Sequence, residues 1–444
     1  MENPDVGMSS KKENSKSVTT LPSKIFLEVT TKCNLNCGMC VRQNGEGYIQ
    51  EGNLQSHIFK ALEPAFPHLD TLILNGIGEP LLHPELEEFI RRAKKLMPGS
   101  AVVGFQSNGI LLNEATARSL IDAGLNRICL SMDTVSHDSF RKIRAGGELQ
   151  DLDRAFNALN MARKLSGRPD FRIGIEIVLM RDTLLELPAT IRWAAQRGAS
   201  FAIVTQLLPY SKSLIGQAVY DTNTHDAILI FNRWKKKAED EGLDIKRYFE
   251  MFLKYWKNSD EERITGIIEK MKSDAGALDI ALHLERLLRR DEEWFRTVES
   301  VYAEVGVIAD DEGIDVKLPE MAPRNSRQCE FVENSSVFVS WNGDVHPCFF
   351  LWHRYSCFVG GLKKSVKPWV FGSLSEMDIL NIWNLSEYRS FRESVLRYDF
   401  PFCFDCSFAL CNYMQDEDFE QDCYISSVPC GACLWCTGLF HCLQ

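Results

Sequence analysis

Cys33, Cys37 and Cys40 lie within one short stretch, Thr31-Lys-Cys-Asn-Leu-Asn-Cys-Gly-Met-Cys40, which follows the apolar run Ile25 to Thr30. Cysteine thiolates are the usual ligands of iron-sulfur clusters, normally four to a cubane. A tight loop that offers three leaves one iron open, and an open iron can chelate a small molecule and pass it an electron. The competing reading is a zinc knuckle. Structural zinc closes with four N or S ligands, and after Cys40 no His or Cys follows until His57.

Further along, small and polar residues recur where a ligand-facing rim would need them. Asn75-Gly-Ile-Gly-Glu-Pro80 supplies Gly76 and Gly78, which can adopt positive φ and let the backbone approach a ligand, and Glu79, a carboxylate for an ammonium group. Ser107-Asn-Gly109, Ser131-Met-Asp133 and Arg144-Ala-Gly-Gly147 follow. Each has an ordinary reading as a turn, cap or surface ion pair. Taken together and in this order, with the C-x3-C-x2-C loop ahead of them, they resemble the radical SAM superfamily. Two departures stand out: Met39 where many members carry an aromatic residue, and Ile77 where they carry a glycine. Methionine, apolar and polarizable, can still pack beside an adenine.

That resemblance implies a [4Fe-4S] cluster on Cys33, Cys37 and Cys40 as the catalytic centre. S-adenosyl-L-methionine (SAM) would be held by Met39, Gly76, Gly78, Glu79, Asn108, Ser131, Asp133 and Arg144. It also implies reductive cleavage of SAM to methionine and a 5'-deoxyadenosyl radical. His83, His137 and His225 have no partner spacing and are read as structural or solvent-facing, and Cys129 as an inert core thiol.

The chain has 15 cysteines, an odd number, and no apolar signal core at its start, which favours metal or redox chemistry over a disulfide framework. Eleven of them crowd between Cys329 and Cys442. Cys329, thirteen residues, Gly343, four residues, Cys348 is similar to the opening of the SPASM extension found in radical SAM maturases. Cys403-x2-Cys406-x4-Cys411 is similar to its second element, one residue short, and Cys423 comes later than the family spacing. Pro429-Cys-Gly-Ala-Cys-Leu-Trp-Cys436 and Cys442 follow. The resemblance implies one or two auxiliary [4Fe-4S] clusters. Cys329, Cys348 and Cys423, with Cys357 as a candidate fourth, would hold the first. Cys403, Cys406 and Cys411 with one of Cys430, Cys433 or Cys442 would hold the second. The rival is a zinc ribbon on Cys403, Cys406, Cys430 and Cys433.

The elements that must position these residues are legible as alternation. Ile25 to Thr30, Thr71 to Asn75, Ala101 to Gln106, Arg127 to Met132, Phe171 to Leu179 and Phe201 to Leu207 read as strands. Between them, Gln55 to Phe66, Glu85 to Leu96, Glu114 to Ala123, Leu152 to Leu165 and Glu186 to Arg197 carry apolar residues at helical spacing. Such alternation predicts parallel strands with right-handed crossovers. The expected fold is α/β, a partial (β/α)6 TIM-like barrel with chemistry in the loops after the strand C-termini. A helical insertion and a Cys-rich, loop-rich C-terminal auxiliary-cluster domain complete it. The expected divisions are a disordered tail over 1–22, the barrel over 23–220, an acidic helical insertion or lid over 221–320, and a SPASM-like domain over 321–444. Asn342-Gly343 predicts a hairpin turn between Val337 to Trp341 and Val345 to Phe349.

Among the 444 residues, 50 Lys and Arg against 61 Asp and Glu give a formal charge of -11, which argues against a nucleic-acid groove. No stretch is apolar enough for a membrane span, and a cytoplasmic location is expected.

The C-terminal cysteine-rich ending and Cys-Gly-Met-Cys-Val-Arg narrow the likeness to the metalloenzyme maturase branch, which includes cofactor-modifying proteins of tungsten-containing aldehyde ferredoxin oxidoreductases. The implied partners are a target protein or peptide, with a tungsten-containing oxidoreductase as the candidate, and an electron donor such as ferredoxin or flavodoxin. The alternatives are modification of a ribosomal peptide, a non-catalytic iron-sulfur electron carrier, and a zinc-stabilised interaction protein.

Overall fold

The computed structural model describes residues 18–44, 49–251, 253–401, 421–427 and 429–443. Cys403, Cys406 and Cys411 lie outside the described residues, as does most of the tail before Thr19.

The apolar runs form parallel strands β1 (Lys24–Leu27), β2 (Thr71–Ile73), β3 (Val102–Ser107), β4 (Arg127–Ser131), β5 (Arg172–Leu179) and β6 (Phe201–Gln206), hydrogen-bonded in that order. Each crossover brings helix to the outer face. The first is the short α1 (Ser56–Lys60), which gives way to a 3-10 turn over Glu63–His68 where Pro64 and Pro67 remove backbone donors. The others are α2 (Leu86–Leu96), α3 (Glu114–Asp122), α4 (Leu149–Leu165) and α5 (Leu187–Ala195). Asn113 starts α3 by accepting from the Thr116 N–H at 2.9 Å, and Glu148 with Asp151 closes a reciprocal cap on α4.

The two faces of the sheet are dressed differently. Ile25 and Leu27 of β1 join Val103, Phe105 and Ile128 under the helices. The alternate residues, Phe26, Ile73, Cys129, Phe201 and Ile203, pack inside with Phe338 and Phe349. This is the period-two alternation of strands, and it puts Cys129 in a fully buried apolar layer, as read from sequence.

The sheet extends beyond the expected six strands. β7 (Asp315–Lys317) adds in parallel to β6. At the other edge β8 (Ser336–Val339) pairs in parallel with β1, and β9 (Asp344–His346) returns antiparallel through the predicted Asn342-Gly343 turn. Gly343 has φ +92° there, the left-handed region that glycine occupies without strain. β10 (Tyr355–Val359) and β11 (Leu362–Val366) form a separate hairpin through Gly360-Gly361, and β12 (Gly372–Ser373) ends the sheet beside β9. The described sheet thus has ten strands in the order β12-β9-β8-β1-β2-β3-β4-β5-β6-β7, with open edges rather than ladder closure. The C-terminal region is therefore built into the barrel edge.

Between β6 and β7 lie α6 (His225–Asp240), α7 (Ser259–Ala277) and α8 (Glu292–Glu312). Helices α6 and α7 share a core of their own, including Phe231, Ile264, Ile268 and Met271. Helix α8 differs: Val298, Val301, Val305 and Ile308 join the main core, and it packs along α5 as a further barrel helix. After β12 come α9 (Ile379–Trp383) and α10 (Ser386–Arg397), so this stretch is more regular than the loop expected. Trp383 Nε1 and Asn384 Nδ2 donate to the Thr19 and Thr20 carbonyls, fixing the end of the N-terminal tail.

Candidate active site

The loops after β1, β2, β3, β4 and β6 converge at one end of the sheet around a cavity of about 330 Å³. Cys33, Cys37 and Cys40 all line it. Cys40 N–H donates to the Cys37 carbonyl at 3.1 Å, and Gly38 N–H donates to the Ile143 carbonyl at 2.9 Å. Asn36 and Cys37 pair antiparallel with Arg144 and Ala145, so the cysteine loop is clipped to the segment after β4.

Burial pushes the Cys37 thiol up to about 11, opposed by the charge of Arg144, and also raises Cys40. Thiols in such a setting surrender their protons when a metal replaces them. No three His, Cys, Asp or Glu side chains among the described residues close on one point as a single ion requires. The three loop thiols line a cavity instead, a donor set that would fit a polynuclear iron-sulfur cluster.

The glycine motif meets the loop in a way its sequence does not reveal. Gly76 and Gly78 have no positive φ. A Cβ on Gly78 would lie 2.3 Å from the Thr30 carbonyl oxygen and one on Gly76 would lie 2.3 Å from Glu28 Cγ, so glycine is needed for close packing against the end of β1. Both residues still line the cavity.

Glu79 is fully enclosed. Its Oε1 accepts from Ser107 Oγ at 2.8 Å and Leu81 N–H at 3.1 Å, and Oε2 accepts from Asn108 N–H at 2.7 Å. Burial lifts its pKa to about 7 against the pull of those donors. Asn108 Nδ2 donates to Asn34 Oδ1 at 2.8 Å, joining the β3 loop to the cysteine loop.

Met39, Asn108, Ser131 and Arg144 line the cavity together with Glu79. Asp133 does not; it lies behind Arg144, with Oδ2 2.8 Å from the arginine Nε, and its Oδ1 also accepts from Val178 N–H at 3.0 Å. Arg144 is thus a buried cation rather than a surface ion-pair member. His83 is structural, with Nε2 3.0 Å from the Leu54 carbonyl.

Several lining residues escaped the sequence reading. Glu176 of β5, in register with Ser131, faces the cavity with one carboxylate oxygen lacking a hydrogen-bond partner. Burial raises its pKa to about 8 despite Arg144. A carboxylate in the apolar run Ile-Gly-Ile-Glu-Ile was the available signal. Gln206, Tyr210 and Trp352 also contribute, as do Trp435, Phe440, His441 and Cys442 from the end of the chain. No residue of 221–320 lines this cavity among those described.

Glu28 links the segment after β1 to the loops that carry Trp341 and His353. Completely buried, it accepts from Ile77 N–H at 3.0 Å and Trp341 N–H at 3.4 Å, and lies 3.1 Å from His353 Nε2.

Cys329, Cys348, Cys433 and Cys436 line a second, smaller cavity. Cys423 is exposed, and Cys357 lies on β10 facing Lys364; neither lines that cavity. Cys442 lines both cavities.

The radical SAM superfamily model matches residues 27–194, and that of the SPASM iron-sulfur cluster-binding domain matches residues 329–407. The chain is 25% identical to the tungsten-containing aldehyde ferredoxin oxidoreductase cofactor-modifying protein of Pyrococcus furiosus, across 94% of this chain and 96% of that one. It is 34% identical to the GTP 3',8-cyclase of Clostridium acetobutylicum over 35% of this chain and 46% of the cyclase. The structure of Streptococcus suis SuiB bound to S-adenosylmethionine aligns with a TM-score of 0.48 and 12% identity, covering 84% of this chain and 68% of SuiB. No described helix is long and apolar enough to cross a membrane. The chain thus carries a radical SAM region over residues 27–194 and a SPASM-type iron-sulfur cluster-binding region over residues 329–407.

Proposed function

We propose that this enzyme reductively cleaves SAM to mature a metalloenzyme or its cofactor, of the tungsten-containing oxidoreductase type. The observation that carries the first half is the convergence of Cys33, Cys37 and Cys40 on one cavity with Glu79, Asn108, Ser131 and Arg144. The second half draws on the near full-length similarity to the Pyrococcus furiosus cofactor-modifying protein.

In this reading Cys33, Cys37 and Cys40 hold three irons of a [4Fe-4S] cluster. When bound, that cluster supplies the electron that breaks a carbon-sulfur bond of SAM and yields methionine and a 5'-deoxyadenosyl radical. The chain's part is orientation and dryness. Met39 offers an apolar wall, and Gly76 and Gly78 bring backbone to the cavity. Glu79 and Asn108 present a fixed polar rim, and Ser131 and Arg144 supply donors for hydroxyl and carboxylate groups. Asp133 acts through Arg144, holding the guanidinium in place. Tyr210, Trp352, Trp435 and Phe440 keep bulk water away from the far wall.

The target is a protein or peptide, with a ferredoxin or flavodoxin as electron donor in the cytoplasm. The test is anaerobic reconstitution followed by SAM and dithionite, with 5'-deoxyadenosine measured by liquid chromatography. Release above background is the expected result; protein that holds iron on the loop and leaves SAM intact would refute catalysis. Adding a cofactor-loaded tungsten-containing aldehyde oxidoreductase and finding no change in its cofactor mass would refute the proposed target.

A further inference from the structure

We propose that His353, from the C-terminal half of the chain, is a positioning residue for the SAM site: through the buried carboxylate of Glu28 it fixes the glycine loop that carries Glu79. The inference rests on the SAM-cleaving reading above and adds to it a residue that does not itself line the cavity.

Glu28 follows β1 with its side chain sealed from solvent. A carboxylate in such a place must be met by donors that replace the water it has lost. Its Oε1 accepts from Ile77 N–H at 3.0 Å, and its Oε2 from Trp341 N–H at 3.4 Å. The third partner is His353, whose Nε2 lies 3.1 Å from both oxygens and whose side chain is only 15% exposed. Two of the three partners thus come from the C-terminal region, Trp341 from the turn between β8 and β9 and His353 from the chain between β9 and β10.

The glycine loop is moored at two points along the segment after β1. Ile77 N–H is held by Glu28, and Glu79 N–H donates to the Lys32 carbonyl at 2.8 Å. Gly76, Gly78 and Glu79, which line the cavity, sit on or beside these moorings. Gly76 leaves the space that the carboxylate occupies, since a Cβ there would lie 2.6 Å from Glu28 Oε1. Trp341 backs the neighbouring loop: a Cβ on Gly52 would collide with its ring, and the Gly52 carbonyl accepts from Thr31 N–H at 3.1 Å, two residues before Cys33.

His346, the other histidine at this wall, is committed elsewhere, with Nε2 3.0 Å from Ser340 Oγ and Nδ1 3.1 Å from the Trp369 carbonyl. Without His353, Glu28 retains only its two backbone donors among the described residues. An underpaired buried carboxylate turns toward water, and that movement loosens the bond to Ile77. The effect reaches the opposite wall as well, because Trp352 lines the cavity and packs on the His353 ring with centroids 5.0 Å apart.

The test uses the full chain, reconstituted anaerobically with iron and sulfide. H353A is expected to keep the iron of the N-terminal loop and to bind SAM about tenfold more weakly, measured by equilibrium dialysis. H353Q, whose amide N–H can replace the imidazole donor, is expected to recover most of that affinity. A purely structural role would lower the melting temperature of H353A and leave its SAM affinity where it was. Affinity in H353A equal to that of the parent, or an equal loss in H353A and H353Q, overturns the proposal.

Hydrogen exchange without SAM gives a second readout. The Ile77 amide is expected to exchange about tenfold faster in H353A than in the parent or H353Q, and unchanged exchange there overturns the proposal. A parent that binds no SAM refutes the cleavage reading, and the exchange rates then decide alone whether His353 holds the glycine loop. Should H353A not fold, the parent still decides: coupling is reciprocal, so bound SAM must slow exchange of the Trp341 amide, and indifference of that amide to SAM counts against the assignment.

Discussion

Arg144 and Asp133 form an ion pair sealed from solvent, with Nε 2.8 Å from Oδ2 and side chains 9% and 0% exposed. The backbone of Arg144 meanwhile pairs with Cys37. The pair therefore joins the rim after β4 to the metal-binding loop, and a change at Asp133 should be felt at the cysteines. Removing one member of a buried pair leaves the other charge uncompensated, a loss of about 3–5 kcal/mol. D133N is expected to lower stability by that order and to reduce iron retained on the loop. Thermal denaturation and iron content measure the two effects; a variant as stable and as iron-rich as the parent would contradict the coupling.

Gly78 gives a more local prediction. A methyl there would come within 2.3 Å of the Thr30 carbonyl oxygen and 2.6 Å of that of Lys32, both backbone atoms with little room to move. Overpacking of this kind costs typically about 1–3 kcal/mol. G78A should therefore be destabilised and bind SAM more weakly, because the loop carrying Glu79 must shift. G99A, where no atom lies within 4 Å, is the matched control and should behave as the parent. Calorimetry on the two variants separates a steric effect from a general aversion to alanine.

These two positions also show what sequence can and cannot reveal. The six parallel strands were readable because β-branched runs alternate with helically spaced apolar residues, and that alternation admits few arrangements. Cys33, Cys37 and Cys40 were readable because thiols at this spacing have few other uses. The reason for Gly76 and Gly78 was not, since their need for glycine comes from Glu28 and Thr30, in the segment that follows β1. Glu176 was hidden for the opposite reason: its alternation within β5 was visible, but not that Arg144 and the cavity would stand on that face. The closure of the chain end over the site depends on contacts such as Gln328 to Cys436, and no local propensity encodes those. The hairpin at Gly360-Gly361 was signalled by its turn dipeptide and passed over.

Cys37 makes a prediction about assembly. Burial pushes its thiol up to about 11 and raises Cys40 as well, so in metal-free protein both sites hold protons tightly. Iron must displace those protons, and loading is consequently harder as the solution becomes more acidic. Reconstitution at about pH 8.5 should fill the loop more completely than at about pH 6.5, with C37A losing about four irons at either pH. Iron assays on protein desalted after reconstitution give the comparison. Loading that is indifferent to pH would mean that the thiols are not the proton-bearing groups.

Glu79 and Glu176 set the pH dependence of stability. Burial raises Glu79 from 4.5 to about 7 and Glu176 from 4.5 to about 8. Between the unfolded and folded values the native state binds more protons than the unfolded chain, so stability falls as pH rises through that window. The advantage of the protonated acids is complete below about pH 4.5 and is lost progressively up to about pH 8. An amide in place of the Glu176 carboxyl has no proton to lose, yet it keeps a donor where the neutral acid had one. E176Q should therefore show a flatter melting temperature against pH and exceed the parent by about 1 kcal/mol or more once Glu176 is ionised. E79Q should flatten the lower part of the same curve, but with a net loss of stability, since one of its faces would point an N–H at the Ser107 or Asn108 donors. Parallel curves for parent and E176Q across this range would show that Glu176 is already ionised in the folded protein, held so by Arg144.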